Sequence, residues 1–268
     1  MVQEKYAMVE ATSAKEISMK KQIRGVVLAG GTGSRLFPLT KVTNKHLLPV
    51  GNMPMIFHPI HKLVEAGITE IMIISGLEHL GDVVRLLGSG HEFNAKFTYR
   101  VQDEAGGIAQ ALALTEDFCK DEKCVVILGD NIFEEPLKKY VDTFKEQEQG
   151  ARLLLKHVHD PERYGVPTLE GAKIIKITEK PQVPDTQYAV TGIYMYDNTV
   201  FERIKTCRPS KRGELEISDV NDDYVKSGEC SYDILDGWWT DAGTFDSLFH
   251  ANQLLKKTNV TNINSQKI

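Results

Sequence analysis

The stretch Val26-Val27-Leu28-Ala29-Gly30-Gly31-Thr32-Gly33-Ser34-Arg35-Leu36 decides the fold. Its first four residues are an apolar run ending a strand that starts at Ile23, and the run reads as buried. The run then breaks into glycines and an arginine. Glycines after a buried strand permit positive φ and let backbone amides approach a phosphate, and Arg35 adds a fixed cationic fork suited to phosphate oxygens. Two common phosphate loops are excluded by spelling. A dinucleotide fingerprint requires glycine where Leu36 stands, and a P-loop requires Gly-Lys-Ser/Thr where the chain has Gly33-Ser34-Arg35. Pro38 keeps a helix from starting directly out of the loop. Taken alone, the glycines are equally compatible with an ordinary turn.

Working outward, helical spacing recurs at Pro59 to Ala66, Leu80 to Leu87, Ile108 to Asp117 and Pro136 to Gln149. Between these lie short apolar segments that read as strands: Ile71 to Ser75, Phe97 to Gln102 and Val125 to Leu128. The alternation predicts an α/β fold with a Rossmann-like, mostly parallel mixed sheet flanked by helices. After Gln149 the pattern changes to strands joined by short turns, at Arg152 to Val158, Ile174 to Thr178 and Tyr188 to Tyr196, with two helices at Ser218 to Lys226 and Thr244 to Lys256. Residues 1–18 read as an extension without function, 19–258 as one domain, and 259–268 as a polar, unstructured tail. Ligands of open α/β sheets collect beyond the carboxyl ends of the strands. That rule predicts that the glycine loop, Gln102 and Gly129-Asp130-Asn131 meet in one place.

Composition narrows the possibilities. The 268 residues carry a formal charge of -5, which argues against a general nucleic-acid binder. No apolar run approaches membrane-spanning length and the N-terminus lacks a signal-peptide pattern, so no membrane partner is expected. Cys119, Cys124, Cys207 and Cys230 have no zinc-ligand spacing and fit free thiols in a reducing cytoplasm.

Three segments carry candidate chemistry. Asp130 sits at the tip of a buried strand beside Gly129, where a carboxylate can hold a hard dication that also binds phosphates, or can cap a helix. Asp241, in Trp238-Trp239-Thr240-Asp241-Ala242-Gly243-Thr244, has the same two readings. Gln102, beside the Gly106-Gly107 turn, has an amide able to pair with a pyrimidine edge.

Leu28 to Leu36, followed by Lys45-His46-Leu47-Leu48-Pro49-Val50 and Pro54-Met55, resembles the signature of the sugar-nucleotide pyrophosphorylases, a nucleotidyltransferase family, and is most similar to its thymidine-using branch. The resemblance runs from about Met19 to the last helix. It implies that thymidine triphosphate (dTTP) and glucose 1-phosphate are joined with release of pyrophosphate, uridine triphosphate being the alternative. It further implies Mg2+ on Asp130 and Asp241, and a homo-oligomer, dimer or tetramer. Carried over residue by residue, it makes Arg35, Lys45 and Asp130 catalytic. Leu28, Gly30, Gly31, Thr32, Gly33, Ser34, Arg35, Gln102 and Gly107 would bind the nucleotide. Tyr164, Gly165, Glu179, Lys180, Val190 and Arg212 would bind the sugar phosphate. The chain departs from the family at Ser34, His46, Ala105, Gly106 and Ala242, none of which removes a charged or metal-binding group. A non-catalytic nucleotide-sugar-binding subunit is the rival reading, and the intact Arg35, Lys45, Asp130, Lys180 and Asp241 weigh against it.

Overall fold

The structure, a computed structural model, describes residues 22–265, so the leader expected at 1–18 lies outside the described residues. The first strand, β1 (Ile23–Ala29), pairs in parallel with β4 (Glu70–Gly76) on one side and β6 (Lys123–Leu128) on the other. Beyond β4, β5 (Lys96–Gln102) adds a further parallel strand. The chain thus builds outward from β1 through β4 to β5, then returns to lay β6 along the opposite side of β1. This reversal of direction is a topological switch point, and it opens a crevice at the carboxyl ends of β1 and β6. The expected α/β architecture is the one observed.

Strict alternation explains why these strands read as unbroken apolar runs. Val27 and Ala29 of β1, with Ile71 and Ile73 of β4, face a core built on α1 (Phe57–Glu65), α2 (Leu80–Leu87) and α5 (Lys138–Glu146). Val26, Leu28, Met72 and Ile74 face a second core, under α3 (Ile108–Ala113), α6 (Val200–Thr206) and α7 (Ile217–Lys226). Full burial of each such side chain contributes about 1.5–3 kcal/mol. A small third cluster joins Val50, Met55, Ile132, Ala242 and Ala251, and so braces the two segments that carry Asp130 and Asp241.

The second half completes the same sheet. Long β11 (Tyr188–Tyr196) lies antiparallel to β6 and to β8 (Ala151–His157), and β12 (Cys230–Ile234) lies parallel to β8. A hairpin of β9 (Gly165–Glu170) and β10 (Lys173–Glu179) meets β11 through Val190 and Gly165. A separate pair, β7 (Asn131–Phe133) with β13 (Trp239–Asp241), brings Asn131 opposite Asp241. A two-stranded ribbon, β2 (Pro49–Val50) and β3 (Met53–Pro54), precedes α1.

Several boundaries differ from the sequence reading. The helix expected over Ile108 to Asp117 is two, α3 and a short α4 (Glu116–Cys119), because Thr115 turns its hydroxyl back onto the Leu112 carbonyl at 2.7 Å. The second half holds three helices rather than two, α6 being the addition. The last helix, α8 (Phe245–Ser265), runs past the expected end at Lys256 through most of the segment read as an unstructured tail. Thr244 and Ser247 cap its start reciprocally, each hydroxyl accepting from the other's backbone N–H at 3.2 and 3.0 Å.

Gly25 lets α1 settle onto β1: a Cβ there would lie 3.0 Å from Ile71 Cγ1, 3.1 Å from Ile68 and 3.2 Å from Leu63. Gly25→Val overpacks this contact and should cost about 1–3 kcal/mol. Thermal unfolding is expected to show a melting temperature lower by several degrees.

Candidate active site

A cleft of about 630 Å³ opens at the carboxyl ends of β1 and β6 and is walled by residues from both halves of the chain. It gathers the glycine loop, Gln102 and Asp130, which the strand-end rule had placed together, and adds Tyr164, Gly165, Glu179, Lys180, Val190, Arg212 and Asp241. Thr32 and Gly33 do not line it. Gly33 serves the loop's conformation: it has φ 62°, and its carbonyl accepts from Leu36 N–H and from the Thr40 hydroxyl, both at 2.9 Å. One turn of 3-10 helix over Ser34–Leu36 then carries Arg35, held down by the fully buried Leu36.

Lys45 is delivered by a second such turn. Asn44 fixes its start, donating to the Ala29 carbonyl at 3.2 Å and accepting from His46 N–H at 2.9 Å. Lys45 Nζ reaches Asp130 Oδ2 at 2.5 Å, and Asn131 Nδ2 donates to Asp130 Oδ1 at 3.0 Å. Burial works against the Asp130 charge, but Lys45 outweighs it with help from the Asn131 hydrogen bond, and the carboxyl is held well below the usual range. His46 is pushed down to about 3, by burial first and by Lys45 second, so it is neutral.

Across the gap, Asp241 accepts from the Tyr164 hydroxyl at 3.1 Å and from Arg163 at 3.4 Å. Its pKa is raised, by burial and then by the charge of Asp130. The third neighbour of both carboxylates is Gly243: a Cβ on it would lie 3.3 Å from Asp130 Oδ2, 3.7 Å from Asp241 Oδ2 and 3.2 Å from an Arg35 nitrogen.

At the other end, Glu179 accepts from Ser218 Oγ at 2.6 Å and lies 3.2 Å from Lys180 Nζ. Lys180 takes a left-handed backbone, φ 42°, uncommon for a non-glycine residue and fixed here by its N–H donating to the Tyr164 carbonyl at 2.9 Å. Arg212 stands among carboxylates. Glu216 binds it through both oxygens at 2.7 and 2.9 Å, and Glu179 and Glu214 lie 3.5 and 3.4 Å away. Val190 and Gly192 belong to a bulge in β11, where the register with β8 shifts between Val190 and Tyr194.

Gln102 is almost buried at the third corner. Its Nε2 donates to Gln110 Oε1 at 2.7 Å and to the Gly107 carbonyl at 3.3 Å, while its Oε1 packs over Gly30. Gly107, at φ 101°, could not carry a Cβ without striking the Leu215 carbonyl at 2.5 Å. Leu215 in turn donates to the Gly106 carbonyl at 2.8 Å, tying this loop to the segment that bears Arg212.

Residues 24–258 match the family model described as nucleotidyl transferase. The chain belongs to the nucleotidyl transferase family. It is 41% identical over 248 residues to the glucose-1-phosphate thymidylyltransferase of Neisseria meningitidis, covering 90% of this chain and 85% of that protein. A crystal structure of a candidate glucose-1-phosphate thymidylyltransferase from Bacillus anthracis, in complex with a sucrose, is 60% identical. It superposes with a TM-score of 0.84 over 87% of this chain and 94% of that one. A UDP-glucose pyrophosphorylase complexed with UDP-glucose, 24% identical, shares the fold, with a TM-score of 0.77 over 88% of this chain and 99% of that one.

Several residues of this site were given no role by the sequence reading, Asn131, Arg163, Gly243 and Tyr194 among them. Asn131 accepts from Gly192 N–H at 2.9 Å and Trp239 Nε1 at 2.8 Å, so one buried amide joins Asp130 to β11 and β13. Arg163 and Gly243 border Asp241, and Tyr194 forms part of the cleft wall. Asn131 and Arg163 each adjoin a residue singled out in the sequence, and Gly243 lies in the quoted segment around Asp241.

Two outcomes are expected. Gly243→Ala puts a methyl group into the space between the carboxylates without backbone strain; turnover should fall by about tenfold or more while stability stays within about 0.5 kcal/mol. The second concerns acid. A histidine held near 3 when folded and near 6.5 when unfolded favours the folded state above pH 6.5, and that contribution is lost as pH falls, because the unfolded chain takes up the proton. From pH 7 to 5 this amounts to about 2 kcal/mol. Denaturant titrations should show a correspondingly smaller acid loss in His46→Gln than in the unchanged protein.

Proposed function

We propose that the protein is a glucose-1-phosphate thymidylyltransferase, joining dTTP and α-D-glucose 1-phosphate to give dTDP-glucose and pyrophosphate. The observation that carries this reading is the convergence of Arg35, Lys45, Asp130 and Asp241 at the switch point, in a chain 41% identical to a relative of that name. Residues 19–258 would act as one catalytic unit.

The sugar phosphate is already an anionic nucleophile, so no strong general base is required. The barrier lies in aligning two polyanions, and positioning and charge stabilisation must lower it. Arg35 would hold the departing β- and γ-phosphates, with Gly30, Gly31 and Ser34 closing over the triphosphate. Lys45 would meet charge developing on the α-phosphate. Lys180 and Arg212 would orient the attacking phosphate, the second steered by the Glu216 carboxylate it already grips. Glu179, Gly165 and Val190 would receive the sugar. Gln102 spends both amide hydrogens within the protein, which leaves Oε1 as an acceptor for the N3–H of thymine or uracil. Cytosine has a lone pair at that position.

Asp130 and Asp241 suit a magnesium ion. They face a shared space that a single Cβ on Gly243 would fill, and the charge on one already raises the pKa of the other. Among the described residues no group of three or more His, Cys, Asp or Glu side chains could hold a metal unaided. Two carboxylates with phosphate oxygens and water are what Mg2+ ordinarily takes. When bound, it would neutralise charge shared by the α-phosphate and the nucleophile.

No helix of the described residues is long and apolar enough to cross a membrane, and we place the reaction in the cytoplasm. Phe245 and Phe249, four residues apart on α8 and 46% and 65% exposed, support a homo-oligomer.

A pyrophosphate-release assay over triphosphates and sugar 1-phosphates tests the proposal. Turnover is expected with dTTP and glucose 1-phosphate, lower turnover with uridine triphosphate, and little with cytidine or purine triphosphates. Preference for uridine triphosphate would transfer the assignment to a uridylyltransferase. No turnover with any pair would leave a binding subunit.

A further inference from the structure

We propose that Lys45 is the resident counter-ion of Asp130 in the nucleotide-free protein, and that a divalent ion therefore enters the site with the nucleotide rather than ahead of it. The proposal rests on the reading of Asp130 and Asp241 as the cation site.

Every oxygen of the two carboxylates is already engaged. Asp130 Oδ2 holds Lys45 Nζ at 2.5 Å, and Oδ1 holds Asn131 Nδ2 at 3.0 Å. Asp241 Oδ1 accepts from Tyr164 at 3.1 Å, and both of its oxygens lie 3.4 Å from Arg163 Nη2. An Arg35 nitrogen borders the same space, 3.2 Å from where a Gly243 Cβ would lie. A dication needs a carboxylate oxygen at about 2.0–2.1 Å, which is the direct-contact position the ammonium blocks on Oδ2. A bare ion would thus have to evict Lys45 and stand among three cationic side chains with only two carboxylates to offset them.

A triphosphate changes both conditions. It brings negative charge into the gap, and it offers Lys45 a new oxygen, so that its ion pair with Asp130 is exchanged rather than lost, while Arg35 gains a partner. The motion required is confined to one flexible side chain. The backbone of Lys45 is pinned by Asn44 on one side and by Leu48 N–H donating to the Lys45 carbonyl at 3.1 Å on the other. Asp130 stays aimed by Asn131. Release of Lys45 from Asp130 and its arrival at the α-phosphate become one event, so the catalytic cation is set in place only when a nucleotide is present.

Electron paramagnetic resonance of Mn2+ tests this without relying on turnover. The unchanged protein should bind Mn2+ weakly without nucleotide and tightly with dTTP. Lys45→Met should bind Mn2+ about tenfold more tightly without nucleotide, since a unit charge in direct contact has gone. Lys45→Gln should behave likewise, Lys45→Arg should not, and the gain should vanish in Lys45→Met/Asp130→Asn. If neither neutral variant binds Mn2+ more tightly, while Asp130→Asn weakens Mn2+ binding in the presence of dTTP, the cation site stands and Lys45 is not its gatekeeper. If Asp130→Asn leaves Mn2+ binding with dTTP unchanged, the cation-site reading itself fails, and this proposal with it.

Discussion

The parallel pairing of β1 with β6 is the constraint on which the rest of the site depends. Its register sets Leu28 beside Leu128, and Gly129 N–H continues the ladder by donating to the Leu28 carbonyl at 2.8 Å. The glycine loop and Asp130 therefore leave the sheet side by side. Gly129 also has to be a glycine, because a Cβ would lie 2.7 Å from the His46 ring. That ring is the buried foot of the turn bearing Lys45, so the close approach of two backbones brings ammonium and carboxylate into contact. Slipping the register by one residue would turn each side chain to the opposite face and separate them.

The second half of the chain is tied to this point by hydrogen bonds as well as by the small apolar cluster under Asp130 and Asp241. Asn131 accepts from β11 and from Trp239 while donating to Asp130. The β11 bulge that frees Gly192 for this bond is also what carries Val190 to the cleft. Sheet irregularities of this kind re-aim side chains next to active sites. Lys180 is a second instance, its left-handed backbone being held by one bond to the Tyr164 carbonyl.

What the sequence made legible follows physical lines. Strands buried on both faces, such as β1 and β4, announce themselves as continuous apolar runs, and α2 is closed by Gly88 and Gly90 at the positive φ values its end requires. The three-residue strands β7 and β13 are too short for any period to appear. Strand β9 was hidden by Pro167, which reads as a break but sits opposite Ile177 in a two-stranded hairpin. In the site, Arg35 and Asp130, each just past a strand end, could be picked out locally, whereas Lys45, on a turn well beyond β1, entered only through the family resemblance. The significance of Gly243 could not, because it consists of empty space between residues far apart in sequence. The engagement of Arg212 by Glu179 depends on a loop meeting a strand end, which no local pattern encodes.

The charges lining the cleft balance. Arg35, Lys45, Arg163, Lys180 and Arg212 are matched by Asp130, Glu179, Glu214, Glu216 and Asp241, in a chain that is itself acidic. A strongly basic cleft would cast a field into solution and draw in polyanions of every kind. A balanced one offers less long-range attraction to polyanions. Lys45, Arg163, Lys180 and Arg212 each already hold a carboxylate, so a ligand reaches these four by taking over their present partners. Selectivity against stray phosphates is thereby written into the ion pairs of the cleft.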